Sequence, residues 1–174
     1  QGDRGFASSS TQKNYIIEAS QLNRQIQPLS LITAKTPAIP EASLSRNFKL
    51  SNSINYIMAA NEASAAGADD ALMLTLDGSV SECTIANIFW GRGNRVFTPS
   101  KECDLLPGIT RQFIINFLQK NGEWQVFEGA YRPEVLEDAE FMFTTNSLHE
   151  ITAVHRLNEI YFSTQHPSLE RIQA

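Results

Sequence analysis

Two charged residues lie in settings where they could carry chemistry. Lys49 stands between Phe48 and Leu50, just before a predicted helix. A lysine amine desolvated by such apolar neighbours favours its neutral, nucleophilic form. Glu82 ends a predicted strand in S-V-S-E-C-T, where a carboxylate could orient the cationic nitrogen of a ligand. Taken alone, each residue also fits an ordinary surface position, with the lysine stem covering its neighbours and the glutamate solvated.

A predicted helix start in L-L-P-G-I-T-R, residues 105–111, has the features of an anion site. Gly108 lets the backbone approach a ligand closely. Ile109 and Thr110 occupy the first helical turn, where amide N–H groups have no intrahelical partner and favour a phosphate. The Thr110 hydroxyl could add a donor. The same residues also fit an ordinary capped helix.

A polar loop, T-T-N-S at residues 144–147, follows an apolar strand and could complete a phosphate site with its hydroxyls and amides. It also fits a plain polar turn. The sequence contains no G-x-S-x-G elbow, G-x-G-x-x-G loop, P-loop or H-E-x-x-H motif. Ser-His-Asp catalysis therefore has no support in the sequence.

The helices and strands that must position these residues form a mixed α+β pattern. Asp77-Gly78 between two apolar runs is a strong hairpin signal. One helix is expected from Ser51 or Asn52 to Gly67, and an amphipathic helix from Ile109 to Lys120. Their predicted buried faces are Ile54, Ile57 and Met58 in the first helix, and Phe113, Ile114, Phe117 and Leu118 in the second. Further strands are expected at residues 14–19, 29–33, 87–90, 95–98, 124–127, 140–145, 151–157 and 160–162.

The composition is ordinary for a soluble globular protein, with 174 residues, 42% hydrophobic and 19% charged, and a cytoplasmic location is expected. The net charge of -5 argues against nucleic acid as the main partner. Apolar runs are too short to span a membrane, and the first residues do not resemble a signal peptide. Cys83 and Cys103 are expected to be free thiols, although their spacing also permits a disulfide. No histidine lies at zinc-ligand spacing from them, so no metal site is predicted.

In their order along the chain, these features resemble the class IV aminotransferases, the pyridoxal 5'-phosphate (PLP) enzymes of fold type IV. This family includes branched-chain and D-amino acid aminotransferases and aminodeoxychorismate lyase. The resemblance implies an α/β (mixed α+β) domain with a barrel-like β core and flanking helices. The matching stretches are K-L-S-N at 49–52, N-E-A at 61–63, G-A-D-D-A-L at 67–72, D-G-S-V-S-E-C-T-I-A-N-I-F at 77–89, L-L-P-G-I-T-R at 105–111 and T-N-S-L-H-E-I-T at 145–152.

The resemblance implies roles around the cofactor ring. Lys49 matches the lysine that forms the Schiff base with PLP and later moves the proton. Glu82 matches the carboxylate that pairs with the pyridine nitrogen, and an anionic Glu82 would keep that nitrogen protonated. Leu106 matches the apolar residue that packs on the ring face. Asn87 lies in the segment beside the ring and is interpreted as structural.

The resemblance also implies two phosphate-binding elements. Ile109 and Thr110 match the helix-start residues that hold the phosphate. Asn146 and Ser147 match the second phosphate-binding loop. The family's phosphate-binding arginine belongs to its small N-terminal domain, which is longer than the 48 residues ahead of Lys49. We therefore expect residues 1–48 to be a remnant of the small domain plus the interdomain linker, and residues 49–174 to be the large PLP-binding domain.

The activity implied is amino transfer between an amino acid and a 2-oxo acid, in a homodimer. S-E-C-T-I-A-N-I-F-W and G-I-T-R-Q-F lean towards aminodeoxychorismate lyase, which eliminates pyruvate and gives 4-aminobenzoate. E-I-T at 150–152 leans towards the aminotransferases. A non-catalytic fragment that binds PLP is a third alternative.

Overall fold

The computed structural model describes residues 16–19 and 27–173. Along the chain the elements are β1 Leu29–Thr33, α1 Ile54–Ala65, β2 Asp70–Leu74, β3 Val80–Cys83, β4 Asn87–Arg92, β5 Arg95–Pro99, α2 Ile109–Asn121, β6 Gln125–Gly129, β7 Phe141–Asn146, β8 Glu150–Leu157, β9 Ile160–Tyr161 and α3 Pro167–Gln173. A short 3-10 helix, Pro133–Asp138, lies between β6 and β7.

The strands form one curled sheet in the order β3-β2-β1-β8-β7-β4-β5-β6, and β9 pairs with β8. In a flat sheet, β3 and β4 would lie about 24 Å apart, five strand spacings of about 4.8 Å each. Only residues 84–86 join them, and the Cys83 N–H donates to the Ala86 carbonyl at 2.8 Å. The sheet must therefore curl until β3 approaches β4, which confirms the predicted α/β fold with a barrel-like core.

The alternation of side chains along the strands builds two cores. Residues from strands far apart in the sheet order meet inside the curl, among them Leu72, Ile88, Trp90, Met142 and Val154. On the outer face, α2 and α3 cover a second cluster, which includes Phe89, Phe141, Phe143, Leu118 and Leu169. Because neighbouring strand residues point to opposite faces, β4 and β7 contribute to both cores.

Both predicted helices are present; the predicted buried face of α1 was wrong, and that of α2 was right for Ile114 and Leu118 only. Helix α1 buries Ala59 and Ala63, which pack with Ala71 and Met73 of β2, while Ile54, Ile57 and Met58 are exposed. Small side chains let this helix approach the sheet closely. Helix α2 buries Ile114, Ile115 and Leu118, while Phe113 and Phe117 are 69% and 43% exposed.

Several other predictions are decided by the structure. The Asp77-Gly78 hairpin joins β2 and β3, with Gly78 at φ +84°. Of the predicted strand 14–19, residues 14–15 lie outside the described residues and residues 16–19 are not a strand. Residues 29–33 form β1 between β2 and β8, so this segment belongs to the same sheet as the strands after Lys49. The division into a small-domain remnant with linker, residues 1–48, and a large domain, residues 49–174, stays a prediction.

The cysteines Cys83 and Cys103 are free, as predicted, and both are buried. Among the helices of the described residues, none combines the length and the apolar character that crossing a membrane requires.

Candidate functional site

A buried carboxylate lies at the centre of the candidate site. Glu82 is only 4% exposed. Its Oε1 accepts a hydrogen bond from the Tyr56 hydroxyl at 2.7 Å and lies 3.2 Å from Nη2 of Arg46. Its Oε2 accepts from the Asn87 amide at 3.0 Å, and the Leu106 backbone N–H also donates to the carboxylate. A carboxylate has about four acceptor sites, so donors of this chain fill them all.

These donors come from separate parts of the fold. Tyr56 lies in the first turn of α1, Asn87 opens β4, and Leu106 belongs to the loop before α2. Arg46 precedes α1; its Nη2 donates to the Tyr56 hydroxyl, and its Nε donates to the Asp104 carbonyl at 3.3 Å. The guanidinium carbon also lies 5.1 Å from the centre of the Tyr56 ring. The network therefore ties the segment before α1 to the sheet and to the start of α2.

Burial dominates the electrostatics of this network. Desolvation raises the pKa of Glu82 to about 7, although the Tyr56 hydrogen bond, the Leu106 N–H and the Arg46 charge act in the lowering direction. Burial, together with the Glu82 charge, raises the pKa of Tyr56 well above its usual range. Tyr56 is therefore a protonated donor at neutral pH, and the charge of Glu82 depends on the balance between its burial and its donors Tyr56, Leu106 and Arg46.

The start of α2 lies beside the Glu82 network. Its N-cap is Gly108, and no side-chain hydrogen bond caps the helix. The first helical bond runs from the Gln112 N–H to the Gly108 carbonyl at 3.0 Å, so the preceding helical N–H groups, at Ile109 and Thr110, have no partner within the helix. Ile109 is exposed and Thr110 is half-buried. This uncapped helix start can accept an anion.

Asn87 joins the helix start to the carboxylate. Its Nδ2, which donates to Glu82, also donates to the Leu106 carbonyl at 2.8 Å. A Cβ added to Gly108 would lie 2.3 Å from Asn87 Oδ1. The loop therefore packs too closely on Asn87 for any larger residue at position 108.

Three residues of the predicted polar loop 144–147 are the last residues of β7, and the turn itself begins at Ser147. Asn146 Oδ1 accepts from the Leu148 and His149 N–H groups at 2.9 and 2.7 Å, and Nδ2 donates to the Ile85 carbonyl at 3.4 Å. Asn146 therefore shapes the turn, while Ser147 is exposed. Thr145, the residue before them, pairs with Asn87 across the strands. Its hydroxyl is buried and has no hydrogen-bond partner.

Lys49 is exposed, and its side chain forms no hydrogen bond or ion pair within the part of the chain that the structure describes. It follows Arg46 by three residues. The structure thus gathers Glu82, Leu106 and the α2 start around Asn87, places Asn146 nearby, and leaves Lys49 and Ser147 at the surface. The roles of these residues stay predictions.

The arginine of G-I-T-R anchors the helix away from the carboxylate. Arg111 is fully buried, and its Nη2 donates to Glu128 Oε2 at 2.6 Å and to the Pro99 carbonyl at 2.7 Å. These partners belong to β6 and β5. Nε and Nη1 of the same guanidinium have no partner. Arg111 therefore fixes the position of α2 on the sheet.

Sequence reasoning missed Arg46 and Tyr56 and took Asn87 as structural only. A polar residue opening the apolar strand N-I-F-W was a usable signal for Asn87. Arg46 lies in an irregular segment after Pro40, where no periodicity indicates which side chains turn inward. Tyr56 is a half-buried residue of a helix whose buried face was predicted wrongly.

Known proteins resemble this chain in sequence. A sequence model of the amino-transferase class IV family matches residues 1–157. Aminodeoxychorismate lyase of Bacillus subtilis (strain 168) is 30% identical over 166 residues, which are 94% of this chain and 56% of that protein.

Two solved structures share the fold. A Legionella pneumophila protein provisionally assigned as a 4-amino-4-deoxychorismate lyase has a TM-score of 0.83 and 33% identity, with 90% of this chain and 57% of that chain covered. The PLP form of a branched-chain amino acid aminotransferase from Thermobaculum terrenum has a TM-score of 0.80 and 25% identity, with 86% and 50% covered. The chain therefore spans about half the length of the proteins it matches.

Proposed function

This chain belongs to the class IV aminotransferase family, and we propose that it forms the cofactor-binding part of a PLP-dependent enzyme that transfers an amino group between an amino acid and a 2-oxo acid. One observation carries the proposal: the buried Glu82 carboxylate and the uncapped start of α2 are held together by Asn87 and Leu106. A homodimer, as the resemblance implies, is part of the same proposal.

The donors present suit the anionic end of PLP. A phosphate dianion favours free N–H groups at a helix start, which Ile109 and Thr110 supply. The Thr145 hydroxyl is a buried donor without a partner, on the strand residue paired with Asn87. A buried hydroxyl without a partner is costly, so a ligand that accepts from it would remove that cost. Asn146 and Ser147 follow directly and belong to the proposed phosphate site.

The Glu82 carboxylate can bind the ring nitrogen of PLP only if one of its present hydrogen-bond donors is displaced. Since four donors already bind Glu82, a pyridinium N–H must replace one of them. Arg46 is the donor that a cationic ring replaces without changing the charge balance, and at 3.2 Å it is more distant than the Tyr56 hydroxyl at 2.7 Å. Leu106, at the loop beside the carboxylate, is proposed to pack against the ring.

The residues divide the proposed chemistry between them. When bound, PLP links covalently to amino groups and withdraws the electrons of a bond broken at the substrate Cα. An ionised Glu82 would hold a proton on the ring nitrogen, and the α2 N–H groups would hold the phosphate. Lys49 is proposed to take the proton from the substrate Cα and to return it. Because no contact of Lys49 within the described residues has to break, its amine is free to move.

Elimination of pyruvate from aminodeoxychorismate is a second candidate reaction. It is favoured because the Bacillus subtilis lyase matches 94% of this chain and the Legionella pneumophila structure carries the same assignment. Both reactions use the same cofactor and the same proton-moving lysine, so the Glu82 network supports them equally.

Borohydride trapping tests the proposal. The chain is mixed with PLP, reduced and digested, and the modified lysine is identified by mass spectrometry. We expect modification of Lys49, its loss in Lys49→Ala and its retention in the control Lys35→Ala. Modification only at Lys13, Lys35, Lys101 or Lys120, or at none, would refute the role of Lys49.

Two assays then separate the reactions. Amino transfer to 2-oxoglutarate supports the aminotransferase, and pyruvate release from aminodeoxychorismate supports the lyase. Trapping at Lys49 without either product would identify the chain as a non-catalytic PLP-binding fragment.

A further inference from the structure

A cavity of about 240 Å³ lies between the β4–β5 hairpin and the 3-10 helix. Its lining includes the aromatic residues Trp90, Phe97 and Tyr131 and the charged residues Arg95 and Asp138. None of its lining residues takes part in the Glu82 network. The cavity is therefore separate from the proposed cofactor site.

The aromatic walls of this cavity suit a planar ring. Trp90 and Tyr131 meet edge to face with their ring centres 5.1 Å apart, and Phe97 meets Tyr131 in the same way at 5.9 Å. Trp90 and Phe97 lie nearly parallel, with their centres 6.2 Å apart. Aromatic pairs of this kind hold their rings in defined orientations. An apolar cavity of about 150 Å³ already binds benzene, so this one has room for a substituted ring.

The indole N–H of Trp90 favours a ligand that carries a hydrogen-bond acceptor. The residue is 3% exposed, so most of the indole packs within the core. Among the described residues, its indole N–H has no hydrogen-bond acceptor, and its nitrogen is not one of the buried polar atoms that lack a partner. The N–H is therefore accessible from solvent, where an acceptor atom on a ligand in the cavity can bind it.

The positive charge of Arg95, in the cavity lining, is available to bind an anion. Arg95 stacks on Phe97 and Phe127, with its guanidinium carbon 5.4 and 5.2 Å from the ring centres. It has no carboxylate partner within the described residues. Arg92 is also in the lining, but its Nε lies 3.6 Å from Oε1 of Glu140, and this carboxylate offsets its charge. A stacked, unpaired guanidinium presents its N–H groups as a fork that matches a carboxylate.

We propose that this cavity binds a small aromatic carboxylate, with its ring against the cavity-facing sides of Trp90, Phe97 and Tyr131 and its carboxylate on Arg95. Stacked rings, a free indole donor and an unpaired guanidinium select together for a flat apolar body with one anionic group. The proposal does not depend on the proposed PLP chemistry, since it uses none of the same residues.

Titration with benzoate tests the proposal, followed by two-dimensional ¹H–¹⁵N NMR. The chain has two tryptophans, so the indole N–H signal of Trp124, in the core under α2 and α3, is an internal control. We expect a saturable shift of the Trp90 indole signal with benzoate, a much smaller one with the uncharged benzamide, and none for Trp124.

Charge variants identify the anion partner. Arg95→Gln should weaken benzoate binding about tenfold or more, which corresponds to about 1.4 kcal/mol. The control Lys120→Gln removes one positive charge from the exposed side of α2 and should leave the affinity unchanged. The same spectra show whether each variant is folded. A non-saturable shift, equal shifts of both tryptophans, or equal effects of the two variants would each overturn the proposal.

Discussion

The guanidinium of Arg46 lies 3.2 Å from the carboxylate of Glu82, and only 9% and 6% of the two side chains are exposed. The pair joins the segment before α1 to strand β3. Removing one member of a buried pair leaves the other as an uncompensated charge. The protonation state of Glu82 therefore depends in part on a residue that lies outside every motif of the family resemblance.

Replacing Arg46 with methionine should raise the pKa of Glu82 above its value of about 7. The substitution removes the positive charge that favours the ionised carboxylate, while a long apolar side chain fills the space. The measurement is the NMR titration of the Glu82 side-chain carboxyl carbon in the cofactor-free chain. Arg92→Met is the control, since the Arg92–Glu140 pair is exposed and remote. An unchanged Glu82 midpoint in Arg46→Met would show that the ion pair does not control its charge.

Glu82 should also make stability depend on pH. Its pKa is about 7 in the folded chain and about 4.5 when unperturbed, so the folded state holds more protons between these values. The free energy of unfolding therefore decreases as the pH rises from about 4.5 to about 7, by about 3 kcal/mol from this group. Glu82→Gln should remove that decrease.

Urea unfolding at a series of pH values measures this effect. The control is Glu137→Gln, which removes the same charge from an exposed position. If Glu82→Gln and Glu137→Gln follow the same pH profile, burial does not raise the pKa of Glu82.

Gly108→Ala should disturb the Glu82 network from a distance. The backbone of Gly108 has φ -64°, which alanine adopts readily, but its Cβ would lie 2.3 Å from Asn87 Oδ1. We expect a loss of about 1–3 kcal/mol in unfolding free energy, as for other overpacked sites. The Asn87 amide would move, so the carboxylate would lose a donor.

A double-mutant cycle separates the clash from other effects. Asn87→Ala removes the colliding oxygen, so Gly108→Ala should cost much less in that background. Additive losses in the double variant would mean that Asn87 does not restrict position 108.

The sequence predicted the positions of the elements better than their orientation. The Asp77-Gly78 turn and the start of α2 after Gly108 depend on local chemistry, and both are present. In α2, however, the buried residues Ile114 and Leu118 have helical spacing both with Phe113 and Phe117 on one side and with Ile115 on the other. Periodicity cannot choose between them, because the choice depends on which sheet face the helix covers. Arg46 was missed for a related reason. Its side-chain contacts are with residues distant in sequence, which no local pattern predicts.

Replacing two buried threonines with valine should change the free energy of unfolding differently. The Thr98 hydroxyl donates to the Ile88 carbonyl at 2.8 Å, whereas the Thr145 hydroxyl has no partner. Thr98→Val should lower the unfolding free energy by about 1–2 kcal/mol, because a hydrogen bond is lost and a carbonyl loses its donor. Thr145→Val should leave it unchanged or raise it by up to about 1 kcal/mol, because a buried hydroxyl without a partner is removed. Both residues lie in strands, where valine is well tolerated. Chemical denaturation of the cofactor-free chain measures both variants, and an equal loss in the two would mean that the Thr145 hydroxyl is hydrogen-bonded in the free protein and is not held ready for a ligand.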